Sequence, residues 1–449
     1  MHQKSKSTVF FMKLILFFIS SCTKEEKIPE TEFVDPKDQL IQVEVSTNGL
    51  DIPDDPKIPA NIKFTNNDTT YFTHKIGIEV RGQSSQSFPK KQYGFELWDN
   101  TNLGISNSIL DFPSEEDFIL SAPYTDKSLM RNVLIYELSR DMGRYAARTK
   151  FVDLKLNGSS KGTYVFMEKL KRDVNRIDIS KLKDIDNSGE ELTGGYILKI
   201  DKDNDYFNNS FESKISPRNA ASGQTIKFVY DTPKPNEITA QQKTYIQNYI
   251  HEFEAVLNSD NFTDPNIGYQ KYINVDSFVD FFLLNEISNN VDGYRLSTWI
   301  VKDKNEKLAM GPIWDFNLAF GNADYCSGGE TNVWAYKFND RCNGDFWVIP
   351  FWWERLMEDP NFRNKIKTRW NELKTTHLSA NNIVSKVDKY KELLSNSGSA
   401  SKNFGLWSVL GVYVWPNKFI GNTWDEEVNY LKDWINNRFT WLDTNINSL

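Results

Sequence analysis

The chain has 449 residues, 39% hydrophobic and 25% charged, with a formal net charge of −8. That length and apolar share suffice for a sizeable core. The acidic balance and the lack of any basic block argue against a nucleic-acid partner, and four scattered histidines with no HExxH or paired-cysteine spacing argue against a zinc site.

The front of the chain reads as an export signal. Lys13 precedes the apolar run 14–19, and Ser20-Ser21-Cys22 follows. A basic start, a short apolar run and small residues before a cut site make a secretory pattern, and the run is shorter than the ~20 residues a spanning helix needs. Ile19-Ser20-Ser21-Cys22 matches the bacterial lipobox, so residues 1–21 read as a lipoprotein signal peptide and Cys22 as the lipidated position. An ordinary signal peptide with a chance cysteine is the alternative. Residues 22–38 are polar, charged and proline-containing, as in a flexible tether. Thr23-Lys24-Glu25-Glu26 resembles the acidic post-cysteine signal of surface lipoproteins in Bacteroidetes-type bacteria. The expected location is a bacterial outer membrane, facing periplasm or exterior, with the lipid as the sole membrane contact.

Residues 39–236 read as a strand-rich lobe. Leu40–Ser46, Ala60–Phe64, Lys75–Arg81, Tyr93–Trp98 and Asp117–Ala122 carry β-branched and aromatic residues. Between the third and fourth runs lies Arg81-Gly82-Gln83-Ser84-Ser85-Gln86-Ser87-Phe88-Pro89-Lys90-Lys91. Gly82 permits close backbone approach, and serines with backbone N–H groups donate to phosphate oxygens; a solvated hairpin is the alternative. Ser128–Gly143 has a helical apolar face. Phe151–Leu156 and Gly162–Glu168 flank Asn157-Gly158, a hairpin signal, and Gly194–Asp201 is another strand.

Residues 237–449 read as helix-rich. Thr239-Ala240-Gln241-Gln242 is a capping box, Asp276–Ser288 reads as a buried helix, and Thr423-Trp424-Asp425-Glu426 opens a last helix. Ser395–Lys402, rich in Ser and Gly, reads as a loop. Within this lobe, strands Leu296–Val301 and Leu308–Ile313 form a hairpin near 289–321 that brings Asp292 and Asp315 to one rim. Two carboxylates so placed, one for a metal and one for a proton, suit phosphoryl transfer; a turn cap and a buried ion pair are the alternative. Cys326 and Cys342 are close in sequence in an exported chain and read as a disulfide, with two free thiols the alternative.

Five motifs in order carry a resemblance: RGxSSxxFPKKxY at 81–93, Asp126–Asn132, Asn157-Gly158…Glu168, Asn290-x-Asp292, and Trp314-Asp315-x-Asn317…Gly321. Together they resemble the spore coat protein H (CotH) kinase-like family over roughly residues 40–340. The resemblance implies an α+β, atypical protein-kinase-like fold of two lobes, and a phosphotransferase using ATP with Mg²⁺ or Mn²⁺. It implies Asp292 as the catalytic aspartate and Asp315 as the metal-holding one. Arg81, Gly82, Ser84 and Ser85 fall in the phosphate-facing loop, Lys91, or failing it Lys90, would bind phosphate, and Glu168 would pair with that lysine. The family's second acid is replaced by Asn317, and its second-metal asparagine by Ser297. Both are neutral oxygen donors, weaker than a carboxylate. The expected partner is therefore an exported protein or glycan acceptor. The alternative is a surface protein that keeps the fold without the chemistry and binds through aromatics such as Trp347, Trp352, Trp353, Trp407 and Trp415.

Overall fold

The computed structural model describes residues 39–67, 69–203 and 209–449. The signal, Cys22 and the tether lie outside the described residues. The expected α+β composition is present. Strands come first: β1 (Ile41–Ser46), β2 (Ile58–Asn66), β3 (Thr69–Arg81), β4 (Gln92–Leu97), β5 (Asn107–Ile109), β6 (Phe112–Glu115) and β7 (Asp117–Ser121). Helix α1 (Arg131–Asp141), strands β8 (Thr149–Leu156) and β9 (Ser159–Glu168), then β10 (Tyr196–Ile200), β11 (Ser210–Glu212) and β12 (Lys227–Thr232) follow. The remainder is α2 (Ala240–Asn258), α3 (Val275–Ser288), β13 (Thr298–Lys302), β14 (Ala309–Met310), α4 (Phe338–Cys342), α5 (Trp352–Leu356), α6 (Pro360–Leu373), α7 (Ala380–Asn396), α8 (Ser399–Leu406) and α9 (Trp424–Asn447).

The first sheet closes on itself in the order β1-β2-β3-β4-β7-β9-β8. Its strands alternate inward apolar with outward polar residues, as in β1, where Ile41, Val43 and Val45 are buried. Aromatic rings fill the interior: Phe166 lies 4.6 Å from Phe112, 5.1 Å from Phe64 and 5.4 Å from Phe118, centroid to centroid. Burying each such ring contributes about 1.5–3 kcal/mol, which explains why this part reads so clearly as strand.

The second sheet runs β11-β12-β10-β13-β14. It joins strands on both sides of residue 236, because β10 pairs antiparallel with β13 in the register Ile200↔Thr298. A division at 236 therefore cuts through one hydrogen-bonded sheet. Helices pack behind it. Thr239 and Gln242 close a reciprocal cap on α2, and α3 is buried on nearly every face, the mark of a core helix. Trp352, Trp353 and Trp370 are wholly buried, so the first two are core and not a binding surface. The segment 395–402 is not a loop. Asn396 ends α7 and Ser399 begins α8, with Gly398 at φ 68° turning the chain between them. Glycine takes that left-handed conformation without the Cβ clash other residues meet. No helix among the described residues is long and apolar enough to cross a membrane.

Candidate functional site

Strand ends and two loops converge on one cleft of about 590 Å³, lined by Arg81, Gly82, Ser84 and Ser85 from the end of β3, and by Asp201, Asp292, Ser297, Asp315 and Asn317 from the second sheet and its connections. The serine loop is tight. Gly82 has φ +98°, and a Cβ there would lie 2.0 Å from Ser85 Oγ, so glycine is what lets that serine fold back. Arg81 lies across the Trp314 ring at 5.8 Å.

Asp315 sits in a strained position, with φ 63°. Helix α1 holds it there. The Asp315 N–H donates to Tyr136 Oη at 3.0 Å, and Phe316 N–H donates to Asn132 Oδ1 at 2.7 Å. Arg131 Nε donates to the Ala319 carbonyl at 3.1 Å, while its Nη1 donates to the buried Asp126 at 2.5 Å. The motif Asp126–Asn132 thus positions the aspartate loop. The Asp315 carboxylate is open to the cleft yet ringed by protein. Desolvation by the protein around it, then repulsion from Asp292 and Asp201, pushes it up to about 6, against the pull of Arg81 and Lys202.

Asp292 follows α3, whose C-terminal Asn289 turns the chain at φ 41°. Arg295 Nη2 donates to Asp292 Oδ1 at 2.8 Å, and Tyr325 Oη donates to the same oxygen at 3.0 Å. Among the described residues no hydrogen bond is made to Oδ2, which leaves it for a ligand.

Asp201 was not singled out from the sequence. It ends the strand read at 194–201, and the β10–β13 register sets it beside Ser297, whose Oγ lies 3.5 Å from Asp201 Oδ2. Burial raises its carboxyl above the ordinary value. A third acid therefore supplements the neutral Asn317 and Ser297. Asn317 Nδ2 donates to Thr125 Oγ1 at 3.3 Å.

The lysine expectations need correction. Lys90 is 2% exposed, and its ammonium donates to the Thr163 carbonyl at 2.5 Å and to Asn403 Oδ1 at 2.8 Å. It faces α8, away from the cleft, and burial pushes it down to about 7. Lys91 turns back to the Gln86 carbonyl and does not line the cleft. Glu168 pairs with neither; it accepts from Arg148 Nη1 at 2.6 Å and Tyr145 Oη at 3.1 Å. The cations that do line the cleft include Lys199 and Lys202. Lys202 Nζ lies 3.4 Å from Ser84 Oγ and 4.8 Å from the Trp347 ring. Both flank Asp201, so the strand ending there was the available signal. Trp347 and Trp415 also line the cleft, and Trp415 is 56% exposed.

Other candidates are weaker. A cavity of about 690 Å³ between α1, α3 and α6 is lined by Arg144, Asp280 and Arg369. Both arginines pair with Asp280, at 2.7 Å and 2.8 Å. Among the described residues Glu115, Glu116 and Asp117 are the acids whose oxygens lie within 4.8 Å of one another. Lys171 bridges all three at 2.8, 3.1 and 2.9 Å, so this is an ion-pair cluster. The cleft acids are spaced more widely.

Residues 78–442 match the family described as CotH kinase protein. This chain belongs to the CotH kinase family. It is 22% identical over 289 residues to the inner spore coat protein H of Bacillus subtilis (strain 168), covering 64% of this chain and 68% of that one. Among solved structures it is similar to the Helicobacter pylori proinflammatory kinase CtkA, at 10% identity and a TM-score of 0.31, over 79% of this chain and 94% of that one. The match to the CotH kinase family takes in every cleft residue described above.

Proposed function

We propose that this protein is a kinase-like phosphotransferase that moves the γ-phosphate of ATP to a hydroxyl, with a serine of an exported protein as acceptor. One observation carries the reading: Asp292 and Asp315 open onto the same cleft as Ser84 and Ser85. Arg81, Lys202 and the serine loop supply cations and donors suited to a triphosphate. The donors for Mg²⁺ or Mn²⁺ fit in kind: Asp315 and Asp201 are carboxylates, with Asn317 and Ser297 as neutral oxygens beside them. When bound, the cation neutralises charge on the phosphates. Asp292 Oδ2 orients the acceptor hydroxyl and takes its proton as the new P–O bond forms and the bond to the β-phosphate oxygen breaks. Arg295 and Tyr325 fix that carboxylate through its other oxygen.

We place the protein outside the cytoplasm, on a lipid at Cys22 of a bacterial outer membrane. The lipobox and the Cys326–Cys342 bond, with Cα atoms 5.7 Å apart, support this. A second reading, a surface protein that binds glycan or protein without catalysis, draws on the exposed Phe346 and Trp415 at 82% and 56%. The two separate on one experiment. The chain from Asp35 onward is incubated with γ-labelled ATP, Mn²⁺ or Mg²⁺ and serine-rich exported proteins. Label on protein that depends on metal and on Asp292 is expected; none under either cation would reject the phosphotransferase.

A further inference from the structure

We propose that the Cys326–Cys342 disulfide is a positioning device for Asp292, so that transfer depends on its being oxidised; this rests on the phosphotransferase reading. The carboxylate is gripped from two sides. Tyr325, next in sequence to Cys326, donates to Asp292 Oδ1 at 3.0 Å. Arg295 donates to the same oxygen at 2.8 Å, and it is in turn held by Asp345 Oδ1 at 3.1 Å and the Trp347 carbonyl at 3.0 Å. Asp345 stands just beyond Cys342, and its N–H donates to the Cys342 carbonyl at 3.0 Å. The two half-cystines therefore end the two arms that meet on one carboxylate.

Among the described residues no hydrogen bond joins those arms directly. The stretch between the cysteines includes left-handed turns at Cys326 and Ser327, with φ 48° and 60°, and the short helix α4. Arg295 is 3% exposed and stacks on Phe338 of α4 at 4.1 Å, which makes it a rigid link between Asp345 and Asp292. Cross-linking two loops lowers the number of arrangements open to both. Without it, Tyr325 and Asp345 are tied to each other through the Asp292 and Arg295 side chains and no longer through a covalent bond, and an Asp292 placed even 1 Å out costs about 10²-fold in rate. The phosphate side, from Arg81 to Ser85, takes no support from the disulfide.

The test compares the parent with a Cys326→Ser/Cys342→Ser variant and with Asp345→Asn. Transfer should fall about 10- to 100-fold in the double variant, with KM for ATP and Mn²⁺-dependent ATP affinity unchanged. Asp345→Asn should lose a similar factor, with little further loss on reduction. Hydrogen exchange gives a readout free of activity. Amides 293–297 and 345–348 should exchange roughly tenfold faster in the double variant, while 76–85 keep their protection. Faster exchange confined to 326–342, unchanged transfer, or equal loss of ATP affinity would overturn the proposal. A parent that transfers no phosphate would defeat the phosphotransferase reading, and the exchange data would still decide the positioning claim.

Discussion

Removing Arg438 should unfold the support of the loop that carries Asp292. Arg438, on α9, and Glu286, on α3, are both wholly buried, and their side chains meet at 3.2 Å. Arg438 Nε donates to the Glu286 carbonyl at 2.7 Å, and Nη1 donates to the Thr331 and Val333 carbonyls at 2.8 and 2.6 Å. Glu286 accepts from Ala335 N–H at 2.8 Å, Tyr336 N–H at 2.9 Å and Tyr294 Oη at 3.1 Å. Burial, the largest influence on each, raises the Glu286 carboxyl and lowers the Arg438 guanidinium to about 10. Such a pair adds little over an apolar one, yet breaking it strands a buried charge, at a cost of about 3–5 kcal/mol. Arg438→Ala also takes the donor from the Thr331 and Val333 carbonyls, so the upper end is expected. In urea that is a fall in midpoint of about 1 M or more for a chain of this size. Arg438→Lys should rescue little, because one ammonium cannot reproduce the planar fork. Adding Glu286→Gln should recover about 1–2 kcal/mol by removing the stranded charge. A midpoint for Arg438→Ala close to the parent's would refute the reasoning.

Further outcomes follow from the same geometry. Asp201→Asn should weaken Mn²⁺ affinity measured by calorimetry, and Asn317→Asp should tighten it; no change from either would remove both side chains from the metal site. Lys202→Met should raise the Kd for ATP by about tenfold, the loss expected from one charge-assisted hydrogen bond. Lys90→Met should leave ATP binding intact, and the opposite ranking would restore Lys90 as the phosphate lysine. Glu254, buried against Trp352 and Ser213, has its carboxyl raised by burial to about 7. Its unfolded form ionises first as pH rises, so stability is lost between about pH 4.3 and 7. Glu254→Gln should therefore raise the melting temperature at pH 8 by several degrees and change it little at pH 4; an equal shift at both would contradict the assignment.

Much of the site could be read from residue order. The hairpin carrying Asp292 and Asp315 and the serine turn after β3 are local features, and local features leave period and turn chemistry in the sequence. Asp201 was not legible because β10 meets β13 only after the intervening strands and two helices, and the register Ile200↔Thr298 exists only in the folded sheet. Lys91, or failing it Lys90, is the phosphate lysine that the resemblance implies, and nothing local shows where either side chain turns. What separates them is Asn403 on α8, far along the chain, which captures Lys90. The region 395–402 misled for a related reason. Ser399 and Ala400 are buried where α8 packs on β9, with Thr163 Oγ1 donating to the Ser399 carbonyl at 3.1 Å, and that packing overrides weak helix propensity.

The central claim is that Asp315 serves metal and phosphate while Asp292 serves the acceptor. Calorimetry of ATP with Mn²⁺ on the parent, Asp315→Ala and Asp292→Ala tests it most directly. The account predicts metal-dependent binding in the parent, its loss in Asp315→Ala, and near-parent affinity in Asp292→Ala with transfer reduced by about 10²–10⁴-fold. Absence of ATP binding by the folded parent, or equal loss in both variants, would contradict it.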